Sequence, residues 1–178
     1  VTLNKDGSVT VWDNGRGIPV DPHPVYKKPA LEIAVTRFHA GGKFDKGSYA
    51  ISGGLHGVGI SVVAALSKHM TATVRRNGNK YQQEYKIGKP LYDVKVVGKV
   101  EKNDTGTEIT FLPDDTIFST TKFEFSILEG WFRELAFLNK GIKITLADEE
   151  SGKKETVETI RFQCEKCKQN IDVTKKMK

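Results

Sequence analysis

Between His39 and Gly59 the chain carries seven glycines, Gly41, Gly42, Gly47, Gly53, Gly54, Gly57 and Gly59. That is too many for the interior of a packed helix or strand, where each glycine costs about 0.5–1 kcal/mol relative to alanine. Their spacing is too structured for a linker, so the stretch reads as a phosphate loop or a lid. The last of these glycines opens a helix whose apolar positions are Val58, Val62, Ala65 and Leu66. Gly53-Gly54-Leu55-His56-Gly57-Val58-Gly59 thus brings unhindered backbone N–H groups to a helix N-terminus, where the helix dipole favours an anion. A flexible hinge is the alternative, and glycines alone do not separate the two.

The remaining elements are legible by period. Ser8-Val9-Thr10-Val11-Trp12 alternates after a Lys5-Asp6-Gly7 turn, which predicts a hairpin whose second strand ends at Asp13. Leu31, Ile33, Ala34 and Phe38 suit a short helix with Pro29 in its first turn. Strands are expected at 69–76 and 80–86 around Asn77-Gly78, then at 93–100 and 106–112. Phe123, Ile127, Trp131, Leu135 and Leu138 space a long amphipathic helix closed by Asn139-Lys140-Gly141. A last hairpin joins 141–147 to 153–160. Helices on one face of an antiparallel or mixed sheet give an α+β sandwich.

A chain of 178 residues is long enough to bury one substantial core. With 38% hydrophobic and 28% charged residues and no apolar run near the roughly 20 that span a bilayer, a membrane protein is excluded and a cytoplasmic location follows by default. The net charge of +6 is not an even nucleic-acid footprint, because residues 161–178 hold six Lys/Arg against two Asp/Glu. Cys164 and Cys167 lie in this basic tail as Cys-Glu-Lys-Cys. A zinc site needs about four ligands, so the pair reads as bystander thiols, with a metal half-site as the alternative.

Asp13-Asn14-Gly15-Arg16-Gly17-Ile18-Pro19 sets a carboxylate at a strand end beside two glycines and a proline, a tight path that a ligand can approach closely. Taken alone it is as readily a simple turn. The two motifs in this order are far more specific, and here the sequence resembles the GHKL ATPases, whose Bergerat fold also serves heat-shock chaperones, histidine kinases and mismatch-repair proteins. Three stretches, His39-Ala40-Gly41-Gly42-Lys43-Phe44, Ser52-Gly53-Gly54-Leu55-His56-Gly57-Val58-Gly59, and Arg133-Glu134-Leu135-Ala136-Phe137-Leu138-Asn139, resemble the ATPase subunits of the type IIA DNA topoisomerases gyrase and topoisomerase IV. The resemblance covers about residues 1–160 and implies a GHKL ATP-binding domain there, with 161–178 an unassigned basic tail.

The resemblance further implies ATP and Mg²⁺ as cofactors. It gives Asp13 the adenine amino group, with Gly17 and Thr107 near the same base through backbone or water, and Ile18 in the same loop. Arg16 and Pro19 match positions at the pocket mouth, and Arg76 one associated with aminocoumarin inhibitors. For Arg76 the plain alternative is a solvated strand residue beside the Asn77-Gly78 turn. Lys43 and Tyr49 would approach the phosphates from the lid. Gly54, Leu55, Gly57, Val58 and Gly59 would cradle them, with His56 beside the terminal phosphate. Implied partners are a second copy of the same subunit, a DNA-cleaving gyrase A-type protein and duplex DNA.

In the family a helix ahead of the position of Val1 supplies the Glu that activates water and the Asn that binds magnesium. The chain opens in a strand pattern without an initiator Met, so the expectation is a Bergerat domain lacking its N-terminal helix, able to bind ATP and not to turn it over. The alternatives are a non-topoisomerase GHKL protein, against which the wording of residues 39–44 speaks, and a nucleotide-binding module or scaffold without chemistry.

Overall fold

The computed structural model describes residues 1–39, 57–139, 141–163 and 170–177. In chain order the elements are β1 (Thr2–Leu3), β2 (Val9–Trp12), α1 (Ala30–Thr36), α2 (Gly59–Ala65), β3 (Ser67–Arg76), β4 (Asn79–Lys86), β5 (Lys89–Pro90), β6 (Lys95–Lys99), β7 (Gly106–Pro113), α3 (Phe125–Leu138), β8 (Lys143–Asp148), β9 (Lys154–Gln163) and β10 (Asn170–Met177). The chain is α+β, as the pattern of periods requires. It divides into two compact units, one of residues 10–121 and one of residues 1–9 with 122–178.

In the first unit β7, β3 and β4 run antiparallel, with β2 beside β7 and both β5 and β6 paired with β4. The β3–β4 connection is the two-residue Asn77-Gly78 turn, both residues at positive φ (53° and 74°), the combination that lets a tight hairpin follow the strand twist. Alternation along β3 sends Met70, Ala72 and Val74 to one face. There they form a fully buried cluster with Leu31 and Val35 of α1, Ala64 of α2 and Tyr85 of β4. Ile18 and Val20, from the loop after β2, pack on its edge.

One charged group sits inside this packing. Glu32 of α1 is 3% exposed and accepts from Lys28 Nζ at 2.6 Å and from Gln83 Nε2 at 2.8 Å. Gln83 also donates to the Tyr92 carbonyl at 2.8 Å, and Tyr85 donates its hydroxyl to Gln83 Oε1 at 2.6 Å. Every member of the network is satisfied, the condition under which buried polar groups specify a packing arrangement instead of weakening it. The network fastens α1 to β4.

The other unit pairs β1 in parallel with β8, Thr2 opposite Ala147 and Leu3 opposite Asp148, so chain segments far apart in sequence share one sheet. β8 and β9 form the expected hairpin, and β10 returns antiparallel along β9 with Asn170 opposite Gln163 and Met177 opposite Thr156. The boundary expected after residue 160 therefore falls inside β9, and the basic tail contributes a strand. Leu3, Val9, Ala136, Leu146 and Val157 are the buried apolar residues of this unit. α3 buries only Ala136, while Ile127, Trp131, Leu135 and Leu138, the row expected on its apolar face, are exposed. No helix among the described residues is long and apolar enough to cross a membrane.

Burial of the Glu32 carboxyl works against its ionisation, but the hydrogen bonds from Lys28 and Gln83 and the Lys28 charge outweigh burial and hold it below the ordinary glutamate value of 4.5. A carboxyl whose folded-state pKa is depressed stabilises the fold above its unfolded value and loses that contribution as pH falls through the folded one. Glu32→Gln is therefore expected to cost about 1–3 kcal/mol at pH 7, and less on acidification below the ordinary glutamate range. Urea denaturation of both proteins at pH 7 and at pH 4 measures this, and a difference that does not shrink in acid would refute it.

Candidate functional site

The strand end of β2 is tied to the start of β7 by a reciprocal pair of bonds. Asp13 N–H donates to the Thr107 carbonyl at 2.8 Å, and Thr107 N–H donates to Asp13 Oδ1 at 3.3 Å. Gly15 N–H donates to the same Oδ1 at 2.8 Å, closing the turn that a carboxylate two residues upstream favours. One carboxylate oxygen is thus spent on the protein's own backbone. Oδ2 makes no hydrogen bond among the described residues, and the side chain is exposed. The turn reading of the motif holds for Oδ1, and it leaves the second carboxylate oxygen without a hydrogen bond among the described residues.

The next residues are pinned from β3. Arg76 Nη1 donates to the carbonyls of Arg16 and Gly17, both at 3.0 Å, so Arg76 is no solvated strand residue. Gly17 has φ 72°, and a Cβ there would lie 2.8 Å from the Arg75 carbonyl oxygen and 3.1 Å from Val74 Cγ1. Only glycine lets the loop run this close to β3. Ile18 N–H donates to Thr107 Oγ1 at 3.2 Å, and Thr107, buried, thereby fixes both ends of the loop 13–18. Pro19, which follows, is exposed. The loop offers an outward carboxylate oxygen and the Thr107 hydroxyl beside the partly buried Ile18, an arrangement that can accept hydrogen bonds from the amino group of a flat, otherwise apolar ring.

Gly57, Val58 and Gly59 lie at the start of α2. Gly57 has φ 63°, and its carbonyl accepts from His39 N–H at 3.1 Å, so the residues on either side of the glycine-rich stretch meet. Val58 caps α2 without a side-chain bond, and a Cβ on Gly59 would meet no atom of the described residues within 4 Å. The packing of the described residues does not demand glycine at 59. Lys43, Tyr49, Gly54, Leu55 and His56, and likewise Cys164 and Cys167, lie outside the described residues.

Sequence reasoning missed three residues that build this site: Arg75, Asp104 and Gly106. Arg75 Nε donates to Asp104 Oδ1 at 2.8 Å, Nη2 reaches the Asp13 carbonyl at 3.4 Å, and the guanidinium lies over the Trp12 ring, 5.3 Å from its centroid. The Asp104-Thr105-Gly106 run just ahead of Thr107 was the available signal, readable as a turn and no more. A cavity of about 680 Å³ opens in the other unit beside Phe125, Asp148 and Lys153, and holds none of the motif residues.

The family described as histidine kinase-, DNA gyrase B-, and HSP90-like ATPases matches residues 1–117. The chain belongs to this ATPase family. Among curated relatives it is 52% identical over 158 residues to the DNA gyrase B protein of Haloferax volcanii, covering 88% of this chain and 25% of that protein. It is 54% identical over 156 residues to the DNA gyrase B proteins of Campylobacter jejuni and Thermotoga maritima, covering 88% of this chain and 20% and 24% of those proteins. The chain thus spans a fifth to a quarter of the length of these relatives. Its fold is similar to the 43K ATPase domain of Thermus thermophilus gyrase B solved in complex with an aminocoumarin, with a TM-score of 0.75 and 39% identity over 87% of this chain and 38% of that one.

Gly17→Ala is expected to destabilise the ATPase fold by about 1–3 kcal/mol, because the new Cβ meets a backbone oxygen at a positive φ that alanine disfavours. Gly59→Ala, whose Cβ would meet no atom of the described residues, is the control and should leave stability within about 0.5 kcal/mol or raise it slightly. Urea titration of the two variants, monitored by far-ultraviolet circular dichroism, checks the contrast.

Proposed function

We propose that this chain is the ATP-binding part of a gyrase B-like type IIA DNA topoisomerase, with Asp13 reading the adenine amino group. The observation that carries the reading is the division of labour on the Asp13 carboxylate: Oδ1 holds the Gly15 and Thr107 amides, and Oδ2 is left for an outside donor. The identity of about half the aligned residues to gyrase B proteins supports the choice within the family.

In this reading Gly17, Ile18 and Thr107 line the base, with Thr107 contributing its hydroxyl or a bridging water. Arg16 and Pro19 form the mouth. Arg76, clamped on the Arg16 and Gly17 carbonyls, is where an aminocoumarin-like inhibitor would meet the rim, in keeping with the ligand of the Thermus domain. The phosphates go to the stretch 54–59, with Leu55, Gly57 and Val58 offering backbone N–H groups, and Lys43, Tyr49 and His56 close by. That a Cβ on Gly59 meets no atom of the described residues suits a position kept small for a ligand.

Magnesium would accompany the ATP phosphates and neutralise charge on them. Among the described residues no group of three or more His, Cys, Asp or Glu comes together, and no residue of this chain is proposed as a magnesium ligand. In the parent enzyme, placed in the cytoplasm, ATP binding would close a gate between two copies of the ATPase subunit, working with a gyrase A-type partner on duplex DNA.

Asp13→Asn tests the reading cleanly, because asparagine keeps an Oδ1 acceptor for the Gly15 and Thr107 amides while turning the ligand-facing atom into a donor. ATP affinity, measured by calorimetric titration, is expected to fall by about tenfold or more with melting temperature nearly unchanged. Equal affinities for the two proteins would overturn the assignment.

A further inference from the structure

Arg75 has no part in the site as a ligand contact, yet it is 9% exposed and touches Asp13 from behind. Three contacts fix it. Its Nε donates to Asp104 Oδ1 at 2.8 Å, its Nη2 reaches the Asp13 carbonyl at 3.4 Å, and its guanidinium plane covers Trp12. Trp12 ends β2 and Asp13 is the first residue after it. Arg75 therefore holds the strand end through the Trp12 ring and the Asp13 carbonyl, not through the Asp13 carboxylate.

Gly106 is what lets these groups meet. A Cβ at 106 would overlap the Asp13 carbonyl oxygen and lie 2.7 Å from Arg75 Nη2. With φ 151° and no side chain, Gly106 admits the Asp13 carbonyl and the Arg75 fork into the same space, one residue ahead of Thr107, which bonds Asp13 from the front. The Asp13 backbone is thus gripped on two sides, by Thr107 and by Arg75, and the second grip is anchored by Asp104.

We propose that Arg75, anchored by Asp104 and admitted by Gly106, is a positioning residue that sets adenine specificity by holding the Asp13 main chain, an inference that rests on the adenine reading of Asp13. A hydrogen bond to an exocyclic amine weakens steeply as its angle departs from linearity, so the strand end must be held to within a fraction of an ångström for Oδ2 to read it. Thr107 and Gly15 fix Oδ1, and Arg75 fixes the carbonyl. Loosening the carbonyl lets the carboxylate swing about the one oxygen that remains bound.

The test separates positioning from plain structural support by comparing ATP with purine riboside triphosphate, which lacks the 6-amino group and is otherwise the same ligand. Affinities of the full chain for both are measured by calorimetry for the wild type, Arg75→Met, Arg75→Lys and Asp104→Asn, alongside melting temperatures. The wild type is expected to prefer ATP by about tenfold or more, as sites built to bond a substrate N–H do. Arg75→Met is expected to reduce that preference to about threefold or less while purine riboside triphosphate affinity changes less than about twofold, because only the amine contact depends on alignment. Arg75→Lys, keeping the charge on Asp104 but not the fork, should recover part of the preference. Asp104→Asn, at an exposed partner whose loss leaves the fold standing, should lower it in the same direction and carries the test alone if Arg75→Met does not fold. Retention of the full wild-type preference in both Arg75→Met and Asp104→Asn, or equal losses for both ligands, would overturn the inference. No preference in the wild type would overturn the adenine reading of Asp13 and this inference with it.

Discussion

The paired bonds between Asp13 and Thr107 are the constraint on which the candidate site turns. They join the end of β2 to the start of β7, and β7 in turn lies along β3, whose Met70, Ala72 and Val74 carry the core. The loop that follows Asp13 has no regular structure of its own, so its path is imposed from the strands beneath it. Thr107 Oγ1 holds Ile18, Arg76 holds Arg16 and Gly17, and Gly17 itself has no Cβ to keep the backbone off β3. A site on a loop gains the precision of a strand when its backbone groups are bonded to strands in this way.

Much of this was legible in the sequence because the devices are local. Asn77-Gly78 announced the β3–β4 hairpin through the positive φ both residues adopt, and the alternation of β2 ended where the carboxylate begins. Asp13, Gly17 and the start of α2 at Gly59 were found from short motifs whose reasons lie within a few residues. What the sequence did not disclose depends on contacts across long separations. The parallel pairing of β1 with β8 joins residues 2 and 147, and no local period encodes it. Arg75 reads as one more charge on a strand until Asp104, Gly106 and Trp12 are brought around it. β10 was hidden differently: Asn170-Ile171-Asp172-Val173-Thr174 alternates as a strand should, but the family resemblance ends near residue 160 and leaves the tail beyond it without an assignment. α3 had the right period and boundaries, while period alone gave no indication that its Ile127, Trp131, Leu135 and Leu138 are exposed in this chain.

The buried Glu32 network plays a different part from the Asp13 site. Both use a carboxylate, but Glu32 spends both oxygens inside the protein, on Lys28 and Gln83, and Asp13 spends one. The counting separates structure from recognition: a carboxylate with every acceptor satisfied fixes packing, and one with an acceptor left over at the surface has something to offer a ligand. Glu32 has its reach limited further by burial, which makes its charge tolerable only with Lys28 beside it.

The two adjacent arginines complete the division. Arg75 and Arg76 project from the end of β3 to opposite sides, and each turns its guanidinium toward backbone carbonyls of the same loop, Asp13 for one and Arg16 with Gly17 for the other. Arg75 Nε and Nη2 are committed to Asp104 and the Asp13 carbonyl, and Arg76 Nη1 to two loop carbonyls, so these donors are already spent before a phosphate could claim them. Charge alone would suggest that a pair of arginines beside a nucleotide loop serves the phosphates. Their hydrogen bonds argue the reverse: they stiffen the end that offers an acceptor, and the proposed reading leaves recognition of anionic groups to backbone N–H groups near Gly57 and Gly59, where glycine permits close approach. In the proposed reading, then, the base is selected by a side chain that arginines hold still, and the phosphates by main chain.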